Sequence, residues 1–220
     1  MGMNMKMHKA SSHRDKIVRE ADLFQRRAKT ILAIDEAGRG PLAGPLVVAG
    51  LLLTRKTLAL LPALGVDDSK RLTPAVREKI FKKIKVLRFR HQVVRRSAHW
   101  IDRHGIQTAW HEAITELIKR FRPTISLIDG RKTFTPPGRV EFWIKGDQRL
   151  YSIGAASIIA KVTRDRLMCR LAKKYPKYQF EQHKGYGTRK HIALIKRHGL
   201  SVVHRKTFCK FFIKNKQGGE

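Results

Sequence analysis

The chain has 220 residues, enough for one full core with an appendage rather than two equal domains. Lys and Arg number 48 against 17 Asp and Glu, and the resulting formal charge of +31 points to polyanionic partners, nucleic acid first. No run of about 18 apolar residues is present to span a bilayer, and Cys169 and Cys209 lack the partners that a disulfide framework or a zinc site requires.

Residues 1–29 read as a basic leader followed by a short helix around Ile17, Val18, Leu23 and Phe24. The leader has no apolar stretch behind its charges, and Lys6 stands where a myristoylation signal after Gly2 needs Ser or Thr, so a cytoplasmic location is expected. Residues 31–34 and 46–53 are apolar runs dense in branched side chains and predict two neighbouring strands. The turn between them carries Gly38, Gly40 and Gly44 interleaved with Pro41 and Pro45. Asp35 and Glu36 close the first run, a place where carboxylates are uncommon unless something cationic meets them. By itself this stretch is equally a hairpin turn with a solvated acidic pair.

Further along, Thr73 and Pro74 are an N-cap and first position for a helix over 75–85 that presents Val76, Ile80, Phe81 and Ile84 on one face. The preceding Asp68-Ser69-Lys70 offers a hydroxyl and an ammonium at a helix start, where a phosphate can be held or a simple capping turn made. A third strand is predicted over 87–94, with Arg88, Arg90, Arg95 and Arg96 along its polar side, then a turn at 101–105. The helix over 106–120 has an apolar stripe of Trp110, Ile114, Leu117 and Ile118. Strand 124–128 ends in Asp129-Gly130, a second carboxylate at a strand end, and strand 140–144 follows the loop 131–139.

The helix predicted over 150–171 opens with small residues at 154–157, suited to packing closely on a sheet, and its Ser157, Lys161 and Asp165 share a face. Beyond it, Tyr178, Phe180 and Tyr186 sit in basic loops where aromatics can stack on bases beside phosphate contacts. A helix over 189–198 and a flexible tail over 210–220 complete the chain. His183, His191, His198 and His204 are too irregularly spaced to read as metal ligands.

Asp35, Glu36, Asp129 and Asp165 therefore stand out as a set. Hard oxygen donors without His or Cys suit Mg2+ or Mn2+, and two such ions can serve the attacking water and the leaving 3′-oxygen in phosphodiester hydrolysis. Neighbouring residues of a regular strand point to opposite faces, so Glu36 is expected to join the site only where the strand ends or bulges. Nucleotide-cofactor motifs fit less well: Gly38-x-Gly40-x-x-x-Gly44 misses the dinucleotide spacing by one, and no phosphate-loop Gly-Lys-Ser/Thr follows.

The segment from Asp35 to Pro45, then Asp68-Ser69-Lys70, Leu127-Ile-Asp129-Gly130, Gly146-Asp147, the 155–165 stretch ending Lys161-Val-Thr-Arg164-Asp165, His183-Lys-Gly-Tyr186-Gly-Thr and His204-Arg-Lys-Thr-Phe208 together resemble bacterial ribonuclease HII. Gln179 and Gly154 depart from the family's usual glycine and alanine. The sister family, ribonuclease HIII, fits less well at Arg39. The resemblance implies an α/β fold, a ribonuclease H-like five-stranded mixed sheet flanked by helices with a small helical C-terminal portion. It divides the chain into a leader and short helix over 1–29, a catalytic core over 30–173, a substrate-contacting portion over 174–209 and a tail over 210–220.

The implied activity is endonucleolytic cleavage of RNA in RNA–DNA hybrids and on the 5′ side of ribonucleotides embedded in duplex DNA, with Mg2+ or Mn2+, two ions per site. By the same resemblance Asp35, Glu36, Asp129 and Asp165 are metal-binding catalytic acids, and the backbone of Gly38, Arg39 and Gly40 reads the ribose 2′-hydroxyl. Tyr186 stacks at the junction from ribo- to deoxyribonucleotide, and Ser69 and Lys70 contact phosphate. A monomer is expected. Arg205-x-x-Phe208-x-x-Phe211-Phe212 is faintly similar to a sliding-clamp peptide but lacks its glutamine, which favours core packing for Phe208. The alternative from another class is a basic nucleic-acid-binding protein that keeps the fold without cleaving.

Overall fold

Nearly continuous burial along the central strands builds one sheet with a core on each face. In the computed structural model, which describes residues 13–25, 28–66 and 72–213, five strands pair in the order β3-β2-β1-β4-β5: β1 (Ile31–Ala37), β2 (Leu46–Leu53), β3 (Arg90–Arg96), β4 (Ile125–Asp129) and β5 (Val140–Trp143). β2 runs antiparallel to both β1 and β3, whereas β4 lies parallel to both β1 and β5. The expected leader up to residue 12, the 67–71 loop with Ser69 and Lys70, and the tail from 214 lie outside the described residues.

Odd positions of β1 face one side. Ile31, Ala33 and Ala37 join a core with α7 (Tyr151–Lys174) and α3 (Pro74–Val86). Even positions Leu32 and Ile34 join the other, against α5 (Ile106–Phe121), through Trp110, Ile114 and Leu117. All of β2 is buried, as a strand covered on both faces requires. Thr73 caps α3 and Pro74 opens it, as the sequence indicates.

Several elements differ from their expected form. The third strand begins at Arg90 because the chain first turns at Arg88 (φ 53°) and buries Phe89. The expected turn at 101–105 closes a helix, α4 (Ala98–His104), that Ser97 caps. A short α2 (Arg55–Leu58) follows β2, with Thr54 and Thr57 forming its capping box. α7 has no side-chain cap at Leu150; Glu20, from α1 (His13–Gln25), accepts hydrogen bonds from Tyr151 N (3.1 Å) and Ser152 N (2.8 Å) instead. Burial raises the Glu20 pKa against these bonds.

After α6 (Gly146–Arg149) and α7, the chain folds α8 (Phe180–His183), α9 (Arg189–His198) and α10 (Lys206–Ile213) over the β1–β2 connection. The helix α10 takes in residues 210–213, expected as tail; Phe208 and Phe212 pack into an apolar cluster with Leu42 and Ile195, while Phe211 is exposed. Asp102 caps α10 through Lys206 N and Thr207 N at 2.8 and 3.0 Å.

Candidate active site

β1 and β4 run parallel with Ile34 opposite Ile128, so the next residues, Asp35 and Asp129, stand at the same level of neighbouring strands. Asp35 belongs to the α7 face, where it is hydrogen-bonded to Ser157 and to the Glu36 N–H (2.7 Å). Burial, then the charges of Glu36 and Asp129, hold its carboxyl well above the ordinary carboxylate range. Asp129 Oδ1 accepts the Gly146 N–H at 2.6 Å, which fixes the carboxylate at the strand end.

Glu36 stands next to the end of β1. The ladder with β2 runs on through Ala37 opposite Val47 without a bulge, while the ladder with β4 already stops at Ile34 opposite Ile128. Its side chain accordingly turns to the α5 face, accepts the Trp110 Nε1–H at 2.8 Å and lies 3.7 Å from Arg39 Nη1. The Arg39 guanidinium stacks 4.8 Å from the Trp110 ring and donates to Gln107. Trp110 is thus both core and the anchor of a candidate ligand.

The shared face of Ser157, Lys161 and Asp165 is present on α7. Ser157 meets Asp35, while Lys161 Nζ donates to Asp165 Oδ1 at 2.9 Å and lies 5.6 Å from the Tyr186 ring, which is 41% exposed. The structure therefore groups Asp35, Glu36 and Asp129 electrostatically and ties Asp165 to Lys161, whose ammonium lies over the Tyr186 ring. Among the described residues no three His, Cys, Asp or Glu side chains are gathered closely enough to hold a metal ion as they stand. The donor set nonetheless suits a hard cation: oxygen ligands only, with Asp35 buried beside two like charges.

Two buried arginines shape the glycine-rich turn; each lies within a stretch that carries the family resemblance, yet spacing gives neither of them a role. Arg205 donates to the carbonyls of Gly38 (2.6 Å), Arg39 (2.9 Å) and Gly44 (2.9 Å from Nη2). Arg164 donates to those of Ala43, Pro45 and Lys184. Burial, then the charge of Arg164, draws the Arg205 pKa down to about 9, so it remains a cation at neutral pH. Gly38 has φ +99°, and a Cβ there would lie 2.2 Å from Arg164 Nε, so only glycine fits. Gly40 is different: its φ is not left-handed and a Cβ would meet nothing.

The histidines judged too irregularly spaced are brought together in part. His183 and His191 stack at 4.2 Å, and His191 Nε2 lies 3.1 Å from His204 Nε2. Ser201 N donates to His204 Nδ1, so His204 carries its proton on Nε2 and gives it to His191 Nε2; His191 Nδ1–H then donates to the Tyr186 carbonyl at 2.8 Å. Burial first, and each ring's histidine neighbours, push both pKa values down to about 4.

The family model for ribonuclease HII matches residues 32–212, a span that takes in all four acids, the glycine turn and both arginines. The chain belongs to the ribonuclease HII family. A ribonuclease HII from Caldicellulosiruptor bescii is 40% identical over 193 residues, covering 87% of this chain and 92% of the relative. A solved ribonuclease H2 from Pyrococcus horikoshii aligns with a TM-score of 0.74 at 27% identity, over 86% of this chain and all of that one. Ribonuclease HII from Archaeoglobus fulgidus, solved in complex with PCNA, gives 0.73 at 28% identity over 86% and 98%. As a ribonuclease HII, the chain is a type 2 ribonuclease H, a hydrolase on the five-stranded mixed sheet described above.

Proposed function

We propose that this ribonuclease HII cleaves the RNA strand of RNA–DNA hybrids and cuts on the 5′ side of single ribonucleotides in duplex DNA, leaving 3′-hydroxyl and 5′-phosphate ends. The observation that carries the reading is the burial of Asp35 beside Glu36 and Asp129, an arrangement whose repulsion a divalent cation would relieve. Asp35, Glu36, Asp129 and Asp165 would hold Mg2+ or Mn2+. When bound, such ions polarise the scissile phosphate and make water a better nucleophile.

The protein's own groups divide the remaining work. Ser157 and the Glu36 N–H orient Asp35, and Gly146 N–H orients Asp129. Lys161 holds a positive charge against Asp165 in the free protein. The exposed ring of Tyr186, with Lys161 and Arg164 each 5.6 Å from its centre, offers a stacking surface next to cations that favour a phosphate. A groove of about 510 Å3 is lined by Asp165, Arg77, Arg170, Lys173, Lys184 and the Arg166–Glu78 ion pair, a surplus of cations that suits a nucleic-acid backbone. Gly40, which the fold does not need as glycine, supports close approach of a ligand to the turn. Ser69 and Lys70 are proposed phosphate contacts on sequence alone.

A DNA duplex carrying one ribonucleotide, incubated with Mg2+ or Mn2+, tests the reading. Cutting 5′ of the ribonucleotide with multiple turnovers supports it. Stoichiometric binding without cleavage would replace it with a binding protein on the same fold.

A further inference from the structure

The glycine turn owes its conformation to a residue that lies more than 160 positions away. Arg205 is fully buried, and its hydrogen bonds go to main-chain carbonyls of the turn. Two of these carbonyls are consecutive, those of Gly38 and Arg39. In a planar trans peptide the N–H points opposite to the C=O. With the Gly38 carbonyl turned inward, the Arg39 N–H is turned outward; with the Arg39 carbonyl inward, the Gly40 N–H follows it outward. Neither N–H has an acceptor among the described residues, and Gly40, at the end of the pair, is exposed with open space around it. The guanidinium also polarises both peptides, which strengthens the outward donors.

We propose that Arg205 is the positioning residue for ribose discrimination: by holding the Gly38 and Arg39 carbonyls on its buried side, it fixes the Arg39 and Gly40 N–H groups as an outward donor pair for the 2′-hydroxyl. The inference rests on the function proposed above. Lysine at 205 keeps the charge but cannot reach three carbonyls in a fixed fork. Arg205→Lys therefore releases the donors while leaving the acids and the Tyr186 ring in place.

The test compares affinity for a duplex with one ribonucleotide and for the same duplex in all-DNA form, in an Asp35→Asn background that prevents turnover. With Arg205 present, the ribonucleotide duplex binds more tightly. Arg205→Lys reduces that ratio by about fivefold to tenfold, the scale of a hydrogen bond or two, and changes all-DNA affinity less than twofold. A purely structural role would weaken both duplexes alike. If Arg205→Lys does not fold, amide NMR of the Arg205 protein decides: the Arg39 and Gly40 amide protons shift downfield with the ribonucleotide duplex and not with all-DNA. An unchanged ratio in folded Arg205→Lys, or unmoved amides, overturns the inference while the functional reading stands. Absence of ribose discrimination with Arg205 present overturns the functional reading and the inference with it.

Discussion

Acidification should loosen the C-terminal portion through His191 and His204, by an amount the structure sets. Both rings are buried and neutral, and the chain Ser201 N–H to His204 to His191 to the Tyr186 carbonyl has no acceptor position to spare for another proton. Their pKa values fall from 6.5 to about 4 on folding. Between those values the unfolded chain takes up protons that the folded chain refuses, so the stabilisation is complete above pH 6.5 and is lost as pH falls toward 4. At about 1.4 kcal/mol per pH unit, one histidine loses about 2 kcal/mol between pH 7 and 4.5. His183, stacked on His191 with its own pKa lowered by burial, works in the same direction. The raised carboxyls of Asp35 and Glu20 oppose it, because the folded state binds their protons more readily. A difference measurement removes those terms. Urea midpoints at pH 7 and 4.5 should fall further for the unsubstituted chain than for His204→Gln, which keeps a donor toward His191 but does not titrate. The expected excess is about 1 M urea for a slope near 2 kcal/mol per M. Equal shifts in the two proteins would refute the reasoning.

Other expectations concern the site and its supports. Asp35→Asn should abolish cleavage in Mg2+ while keeping hybrid affinity, and should raise stability by about 1 kcal/mol in thermal melts because it removes a buried repelled charge; substantial residual turnover would remove Asp35 from the chemistry. Gly40→Ala should leave the melting temperature nearly unchanged yet impair cleavage at single ribonucleotides, whereas Gly38→Ala should cost about 2 kcal/mol or more, since its Cβ would strike Arg164. Glu20→Ala strips α7 of its N-terminal acceptor and should cost about 1–3 kcal/mol in urea denaturation without changing the metal requirement. Affinity for hybrids should fall steeply with salt, and a flat plot of log affinity against log salt would place the surplus charge away from the substrate.

Local pattern carried much of this architecture. The apolar run at 46–53 is β2 residue for residue, Thr73 and Pro74 mark the start of α3, and the Ser157-Lys161-Asp165 spacing on α7 places those side chains along one strip. The third strand starts later than its pattern indicates because Leu87 and Phe89 continue an apolar sequence through a backbone reversal at Arg88. The orientation of Glu36 follows from an unbroken β1–β2 ladder, which depends on the partner strand rather than on β1 itself. Long-range groups left no periodic trace: Glu20 and Asp102 cap helices that begin about a hundred or more residues later. His183, His191 and His204 meet only through the packing of α8 and α9 with the segment before α10.

The clamp on the glycine turn also orders events during synthesis. Asp35, Glu36, Asp129 and Asp165 leave the ribosome well before Arg205, the residue that joins the Gly38, Arg39 and Gly44 carbonyls. A nascent or prematurely ended chain can carry every acid and still have an unset turn. Setting the turn therefore waits on contacts that close more than 160 residues of chain, which makes it a late, non-local step of folding rather than a property of the hairpin itself.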